Sequence, residues 1–311
     1  MPQIDITELN SAALQSPHEM IEKAEQIYFQ KIESIASHIK MNPQLRLILI
    51  SGPSGSGKTT TANLLADKLR SYGNESLVIS LDNFYRDQDD EAYPRLDDGQ
   101  LDYECPDALN LDLMHVTFER ILSEQDFTIP KYDFKEGRCT EKEQHVPIRN
   151  GCVIIEGLHA LNPTISEKLP NDKILKIFIS VSTNVMDGDE QILSGRKVRF
   201  IRRLVRDSIY RGATAERTFD IWDEVLAAED IYLYPYKSNA DIAFDTFHSF
   251  ELGVMKRYAQ ALLTEDFAKQ NTYISIVRSA LERVKAIDEK HVPESSLIKE
   301  FIVGGIYENL Y

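Results

Sequence analysis

A glycine-rich segment of eight residues constrains this chain more than any other feature of its sequence. Residues 52–59 read Gly-Pro-Ser-Gly-Ser-Gly-Lys-Thr and match the phosphate-loop pattern G-x-x-x-x-G-K-[ST] at every fixed position. The mostly apolar run 45–51 precedes them, which predicts a strand, a loop and a helix in that order. In such a loop, backbone N–H groups and the positive end of the helix face a bound phosphate. The segment therefore predicts a nucleoside triphosphate site.

The same pattern assigns a role to individual loop residues. Lys58 is expected on the β- and γ-phosphates, and Thr59 is expected to place its hydroxyl on Mg²⁺. We therefore expect ATP and Mg²⁺ as cofactors. The loop residues predicted to bind ATP are Gly52, Ser54, Gly55, Ser56, Gly57, Lys58, Thr59 and Thr60.

Charge and composition narrow the class of partner. The 311 residues carry a net charge of −15, which disfavours nucleic acid and anionic membrane surfaces as main partners. Residues 1–10 lack the apolar core of a secretory signal, and apolar runs stay below the roughly 18 residues of a membrane span. The three cysteines show no C-x-x-C spacing, as expected in a reducing compartment. We expect a cytoplasmic protein that acts on a small molecule; a homo-oligomer is also possible.

From residue 45 onward, apolar strands alternate with helical patterns, and this alternation predicts a parallel sheet covered by helices. The predicted strands are 45–51, 76–81, 152–155, 174–179 and 240–244, and the predicted helices are 58–70 and 107–123. Helical periodicity over 17–40 and beyond 249 adds helices outside this core. The predicted divisions are an N-terminal extension 1–44, a core 45–248 with a lid at about 187–217, and a C-terminal extension 249–311.

Two carboxylates follow predicted strands, where parallel sheets bind their ligands. Glu156 ends the strand 152–155 and is expected to bind Mg²⁺ together with Thr59. Asp82 ends the strand 76–81, one sheet position from the loop in the usual arrangement, and is expected to accept the proton of an attacking hydroxyl. The alternative for each is an ordinary solvated carboxylate at a strand end.

A basic cluster interrupts this acidic chain, with eight cations between Arg196 and Arg217. Four of them recur at the spacing i, i+3, i+4 and i+7 of one helix face, namely Arg199, Arg202, Arg203 and Arg206. Such a face is expected to close over a γ-phosphate as a lid and to supply positive charge in the transition state. A solvated basic face is the alternative.

Taken together, these segments resemble the uridine kinase and phosphoribulokinase family, and within it the uridine–cytidine kinase branch. The resemblance covers residues 45 to about 246. Its carriers are the segments 52–59, 80–85, 105–108, 130–134, 155–157, 202–212 and 239–241. It implies a three-layer α/β P-loop kinase fold with a parallel sheet, an arginine-rich helical lid and helical extensions at both termini.

The resemblance also implies roles for residues of this chain. It implies a catalytic group formed by Asp82, Lys58, Arg206 and Arg211. It implies an acceptor site formed by Asp82, Tyr85, Glu104, Tyr132 and Arg203, in which Glu104 would hold ribose hydroxyls. To the ATP site it adds Arg202 and Asp241.

Three positions depart from the uridine–cytidine kinases. Gly137 stands where they carry a histidine that recognises the pyrimidine, Ala213 replaces a lid arginine, and Ile221 replaces a glutamine. The expected function is transfer of the γ-phosphate of ATP to the 5′-hydroxyl of a ribonucleoside, uridine or cytidine first. Two alternatives are a kinase of a sugar phosphate or another hydroxylated metabolite, and a nucleotide-dependent regulatory protein.

Overall fold

A computed structural model describes residues 1–96 and 98–310; Asp97 and Tyr311, the last residue of the predicted C-terminal extension, lie outside the described residues. The helices are α1 (Ile6–Gln15), α2 (Pro17–Met41), α3 (Lys58–Ser71), α4 (Leu111–Leu122), α5 (Pro163–Ser166), α6 (Gly195–Arg211), α7 (Ala215–Asp220), α8 (Trp222–Tyr232), α9 (Glu251–Leu262), α10 (Glu265–Gln270) and α11 (Thr272–Arg283). The strands are β1 (Gln3–Asp5), β2 (Leu47–Ser51), β3 (Glu75–Ser80), β4 (Phe127–Asp133), β5 (Arg138–His145), β6 (Gly151–Glu156), β7 (Ile174–Ser180), β8 (Asn184–Asp187), β9 (Glu190–Leu193) and β10 (Ile242–Asp245).

The centre of the molecule is a parallel sheet with the strand order β10-β7-β2-β6-β3. Successive side chains of a strand point to opposite faces. Leu47 and Leu49 therefore enter one apolar core, while Ile48 and Ile50 enter the other. All four are fully buried, because helices cover both faces. The predicted three-layer α/β fold is confirmed.

The order of the strands corrects one expectation. β6 lies between β2 and β3, so Asp82, which follows β3, is two strand positions from the phosphate loop rather than one. Glu156, at the end of β6, is the carboxylate on the strand next to β2.

The N-terminal residues pack on the core rather than apart from it. β1 pairs with β8, and α2 lies along α3, where the Tyr28 hydroxyl is 2.8 Å from Oγ1 of Thr61. Beyond β10, α9 and α11 join the same apolar core. Over residues 1–96 and 98–310, the helices lack the stretch of apolar side chains that crossing a bilayer requires.

The helix α6, at the centre of the predicted lid, is mostly part of the core. Its apolar face is buried against α9 and includes Phe200, Ile201 and Leu204. Two of the four arginines predicted to share one exposed face, Arg199 and Arg202, are also fully buried. Two of the four arginines of this helix face are therefore part of the protein interior, and only Arg203 and Arg206 remain near the surface.

A buried acid in α2 gives a testable pH dependence. Glu25 is 4% exposed, and burial raises its pKa from 4.5 to about 7, although its carboxylate accepts a hydrogen bond from the Ser296 hydroxyl. Between these two values the folded state binds more protons than the unfolded state, so stability falls as pH rises through that window. We expect Glu25→Gln to remove this loss and to stabilise the protein by about 2 kcal/mol at pH 8, but little at pH 4.5.

Denaturant unfolding at both pH values measures this effect. Glu22→Gln is the matched control, because Glu22 is exposed on the same helix. A stabilisation of Glu25→Gln that is equal at the two pH values would contradict the assignment.

Candidate active site

The phosphate loop has the backbone shape that its sequence predicts. Gly55 and Gly57 adopt φ of 73° and 87°, in the left-handed region that favours glycine. Lys58 begins α3 and its ammonium group donates to the Pro53 carbonyl oxygen at 3.2 Å. N–H groups in the first turn of a helix, which have no acceptor within the helix, and an adjacent ammonium group fit a bound phosphate.

A buried ion pair supports the loop at Ser54. The guanidinium of Arg199 donates to both carboxylate oxygens of Glu229 at 2.7 Å, and both side chains are fully buried. Arg199 also donates to the Ser54 carbonyl oxygen at 2.9 Å, while Glu229 accepts from the Ser54 N–H at 3.0 Å. The pair therefore holds the peptide groups on both sides of one loop residue.

A second buried pair supports the loop at Gly55. Arg202 donates to Glu251 at 2.8 Å through Nε, to the Gly55 carbonyl oxygen at 3.1 Å and to the Thr246 carbonyl oxygen at 2.8 Å. Its side chain is fully buried. Because these groups lie behind the loop, Arg202 supports the loop from its protein side.

Asp207 gathers three arginines at the end of α6. Its carboxylate lies 3.2 Å from Arg203 Nε, 2.8 Å from an Arg206 nitrogen and 3.4 Å from an Arg211 nitrogen. Arg203 also donates to the Ser54 hydroxyl at 2.9 Å, which joins this cluster to the loop. A cavity of about 400 Å³ opens beside it, lined by Arg203, Asp207, Arg211, Gly212, Ala213, Arg217, Thr218 and Ile221.

Asp82 lies at the base of the cleft, in the short 3₁₀ turn Leu81–Phe84. The residue is exposed to solvent, and the protein groups around its carboxylate displace part of the surrounding water, which raises its pKa. Lys58, Arg211 and Arg206 oppose that rise. The structure thus brings together the four residues that were predicted as the catalytic group.

Glu156 lies between the loop and Asp82. Burial raises its pKa to about 7, a rise that Lys58 opposes and Asp82 increases. A cation beside a buried carboxylate stabilises its charged form. Carboxylate and hydroxyl oxygens are also ligands that suit Mg²⁺. The residues present, Glu156 and the Thr59 hydroxyl at the start of α3, therefore fit a magnesium ion shared with a bound phosphate.

Aromatic rings form one wall of the cleft near Asp82. The ring centroids of Tyr85, Tyr132 and Phe134 lie between 5.1 and 5.8 Å from one another. Glu104 faces this region, and burial raises its pKa, against the effect of Arg203. The predicted acceptor residues therefore lie around one space.

Sequence reasoning missed two polar residues of this region. His159, three residues after β6, is 6% exposed, and burial lowers its pKa to about 4, so the imidazole is neutral at pH 7. Gln88 fills the space beside Gly137, where an added Cβ would lie 2.4 Å from the Gln88 side chain. Neither residue belongs to a spacing pattern, and the fold alone brings them to the site.

The profile described as the Phosphoribulokinase / Uridine kinase family matches residues 47–252, about two thirds of the chain. The chain belongs to this family. It is therefore an ATP-dependent kinase that acts on a hydroxyl group.

Several relatives support the same assignment. The chain is 29% identical over 219 residues to a uridine kinase of Halobacterium salinarum, covering 70% of this chain and 87% of the relative. It is 31% identical over 199 residues to a uridine kinase of Deinococcus deserti, covering 63% and 85%. A putative fructose transport system kinase from Silicibacter sp. TM1040 has a similar fold, with a TM-score of 0.51 and 18% identity over 68% of this chain and 98% of that one.

In this phosphoribulokinase / uridine kinase family member, two residues predicted to bind ATP lie away from the face of the loop where a phosphate fits. The Arg202 side chain is fully used by Glu251 and by backbone behind the loop. Asp241 accepts a hydrogen bond from the Lys176 N–H at 2.8 Å, below the edge of the sheet at which the loop begins. Lys176 pairs with Leu49, three residues before the loop, so Asp241 lies roughly 10 Å below the loop along the strand direction. It is also displaced sideways, because β10 lies two strand positions from β2. The structure brings neither side chain to the face of the loop where a phosphate fits.

Proposed function

We propose that this kinase transfers the γ-phosphate of ATP to the 5′-hydroxyl of a ribonucleoside, with uridine and cytidine as the first candidates. The observation that carries the proposal is the position of Asp82 among Lys58, Arg206 and Arg211, at the same edge of the sheet as the phosphate loop. A carboxylate there suits a base, and the surrounding cations suit a transferring phosphoryl group.

In this reaction each group has a defined task. The hydroxyl oxygen of the acceptor forms a bond to Pγ, the bond from Pγ to the oxygen of ADP breaks, and the hydroxyl proton passes to Asp82. Lys58, Arg206 and Arg211 stabilise the charge on the transferring group. Mg²⁺, held by Thr59 and Glu156, would neutralise phosphate charge. The cluster at Asp207 orients the arginines for this purpose.

The charges of the acceptor pocket support an uncharged acceptor. Two carboxylates, Asp82 and Glu104, face it, and His159 is neutral because burial lowers its pKa. Arg203, the cation that acts on Glu104, already pairs with Asp207. A ribose diol can donate two hydrogen bonds to Glu104, and the rings of Tyr85 and Tyr132 offer apolar faces to a base.

One observation favours a second candidate, a phosphorylated sugar. The cavity beside Asp207 is lined by Arg203, Arg211 and Arg217, which suit an anionic group. ADP release from MgATP, measured against ribonucleosides, deoxyribonucleosides, pentose phosphates and a control without acceptor, separates the candidates. Turnover with a ribonucleoside and a 5′-monophosphate product would support the first, and turnover with pentose phosphates alone would replace it.

A variant of Glu104 tests the diol contact. We expect Glu104→Gln to raise the KM for a ribonucleoside about tenfold and to leave kcat within about threefold, because a hydrogen bond to a charged group is weakened in substrate and transition state alike. With the 2′-deoxyribonucleoside, the effect should be much smaller, since one donor is already missing.

Glu141→Gln is the matched control for this variant, because Glu141 is exposed on β5. An unchanged KM for the ribonucleoside in Glu104→Gln would reject the proposed diol contact.

A further inference from the structure

The segment Ser296–Ile302 is packed against the phosphate loop and is called the C-terminal segment below. It contains a 3₁₀ turn, Leu297–Glu300. Its four apolar side chains are fully buried, namely Leu297, Ile298, Phe301 and Ile302. The proposed function gives no task to this segment, although it contacts the residues that were predicted to bind ATP.

The Glu300 carboxylate contacts the first turn of α3, directly after the phosphate loop. Oε2 of Glu300 accepts a hydrogen bond from the Thr60 N–H at 3.2 Å and another from the Thr60 hydroxyl at 2.9 Å. Thr60 is the third residue of α3, so its N–H is one of the donors that have no partner within the helix. Such donors bind anions, and in phosphate loops the backbone N–H groups hold the α- and β-phosphates.

Apolar side chains of the same segment cover the loop beside this contact. A Cβ built on Gly57 would lie 2.5 Å from Leu297, so the leucine rests directly on that residue. The Phe301 ring lies 5.1 Å from the guanidinium of Arg202, which supports the loop from behind. The segment therefore extends from the Thr60 donors over the end of the loop, where the nucleoside attached to an α-phosphate needs room.

We propose that the C-terminal segment competes with the nucleotide for the loop, with Glu300 in the place of the α-phosphate. The inference rests on the proposed function, because it concerns the ATP site of that reaction. Glu300 and a phosphate cannot both accept from the Thr60 N–H, and their negative charges repel each other. ATP therefore binds to Thr60 only when the C-terminal segment moves away.

Contacts at both ends of the segment contribute to the free energy that is needed to move it away from the loop. The Ser296 hydroxyl donates to Glu25, and the Ile302 carbonyl oxygen accepts from the Tyr210 hydroxyl at 3.0 Å. Residues 284–295 before the segment contain only a short 3₁₀ turn among otherwise irregular backbone. Since ATP binding requires the open arrangement, the apparent Kd for ATP equals the Kd of the open form divided by the fraction of molecules in which the segment is open.

A charge-neutral variant in the full-length chain tests the competition. We expect Glu300→Gln to lower the Kd for MgATP about tenfold, as a charge-assisted hydrogen bond and a like-charge repulsion are lost. The matched control is Glu294→Gln, which makes the same change at an exposed position just before the segment. It should leave the Kd within about twofold. Calorimetric titration without acceptor measures binding separately from phosphate transfer.

Hydrogen exchange in the wild-type protein gives a second test that needs no variant. MgATP should increase amide exchange in residues 296–302 while it protects residues 52–60. Slower or unchanged exchange in the segment, together with an unchanged Kd in Glu300→Gln, would overturn the inference. Glu300 would then only cap the N-terminus of α3 in all states of the protein, and the proposed kinase reaction would stand. If all three proteins fail to bind MgATP, the proposed function is contradicted and the inference falls with it.

Discussion

Replacing Asp82 by asparagine is expected to lower kcat about a thousandfold while the Kd for MgATP changes by less than about threefold. Asparagine keeps the shape of the side chain but cannot accept the proton of the attacking hydroxyl, and a general base contributes about 10²- to 10⁴-fold. The phosphate loop lies two strand positions away and keeps its own backbone contacts. Acceptor-dependent ADP release and calorimetric ATP binding measure the two quantities separately.

The control for this experiment is Asp89→Asn, since Asp89 is an exposed acid seven residues further along the chain. It should retain wild-type kcat. A parallel loss of ATP affinity in Asp82→Asn would instead assign Asp82 to the nucleotide site or to the structure of the cleft.

Replacing Glu229 by glutamine is expected to lower the free energy of unfolding by about 3 to 5 kcal/mol. The change leaves the Arg199 guanidinium buried without a counter-charge, and full burial prevents water from replacing the lost partner. Because Glu229 also accepts from the Ser54 N–H, the phosphate loop loses a support and the Kd for MgATP should rise as well. Denaturant unfolding and calorimetry measure the two effects.

The neighbouring residue gives a matched control. Asp230 pairs with Arg196 at the surface, where both side chains are about half exposed, so Asp230→Asn should cost less than about 1 kcal/mol. The double variant Arg199→Met, Glu229→Met removes both buried charges and should recover much of the stability. If Glu229→Gln and Asp230→Asn are equally mild, the buried pair is not a major support of the loop.

The sequence was sufficient to predict the sheet and the edge of the sheet at which its two carboxylates lie. A short, mostly apolar run such as Ile174–Ser180 is typical of a strand that is buried on both faces. Strands that alternate with helices along the chain pair in parallel. Residues that follow parallel strands then meet at one edge, which is why Asp82 and Glu156 lie together. The strand order, and therefore the place of β3 beyond β6, depends on crossovers that local patterns do not specify.

The supports of the loop could not be predicted in the same way. The helical period placed Arg199, Arg202, Arg203 and Arg206 on one face, but it does not state which of them find buried acids. Glu229 is 30 residues from Arg199, and Glu251 is 49 residues from Arg202. Only the packing of α6 against α8 and α9 brings these partners together. Asp207 carried a local signal, since arginines precede and follow it by four residues.

The contact between Thr60 and Glu300 joins residues 240 positions apart in the chain. The ribosome synthesises a chain from its N-terminus, over seconds to tens of seconds for a chain of this length. The phosphate loop is therefore translated long before Leu297 exists to cover Gly57. A chain translated as far as Glu251 already contains the ion pairs that support the loop but not yet Glu300, so ATP bound at that stage would stabilise the growing core through mass action.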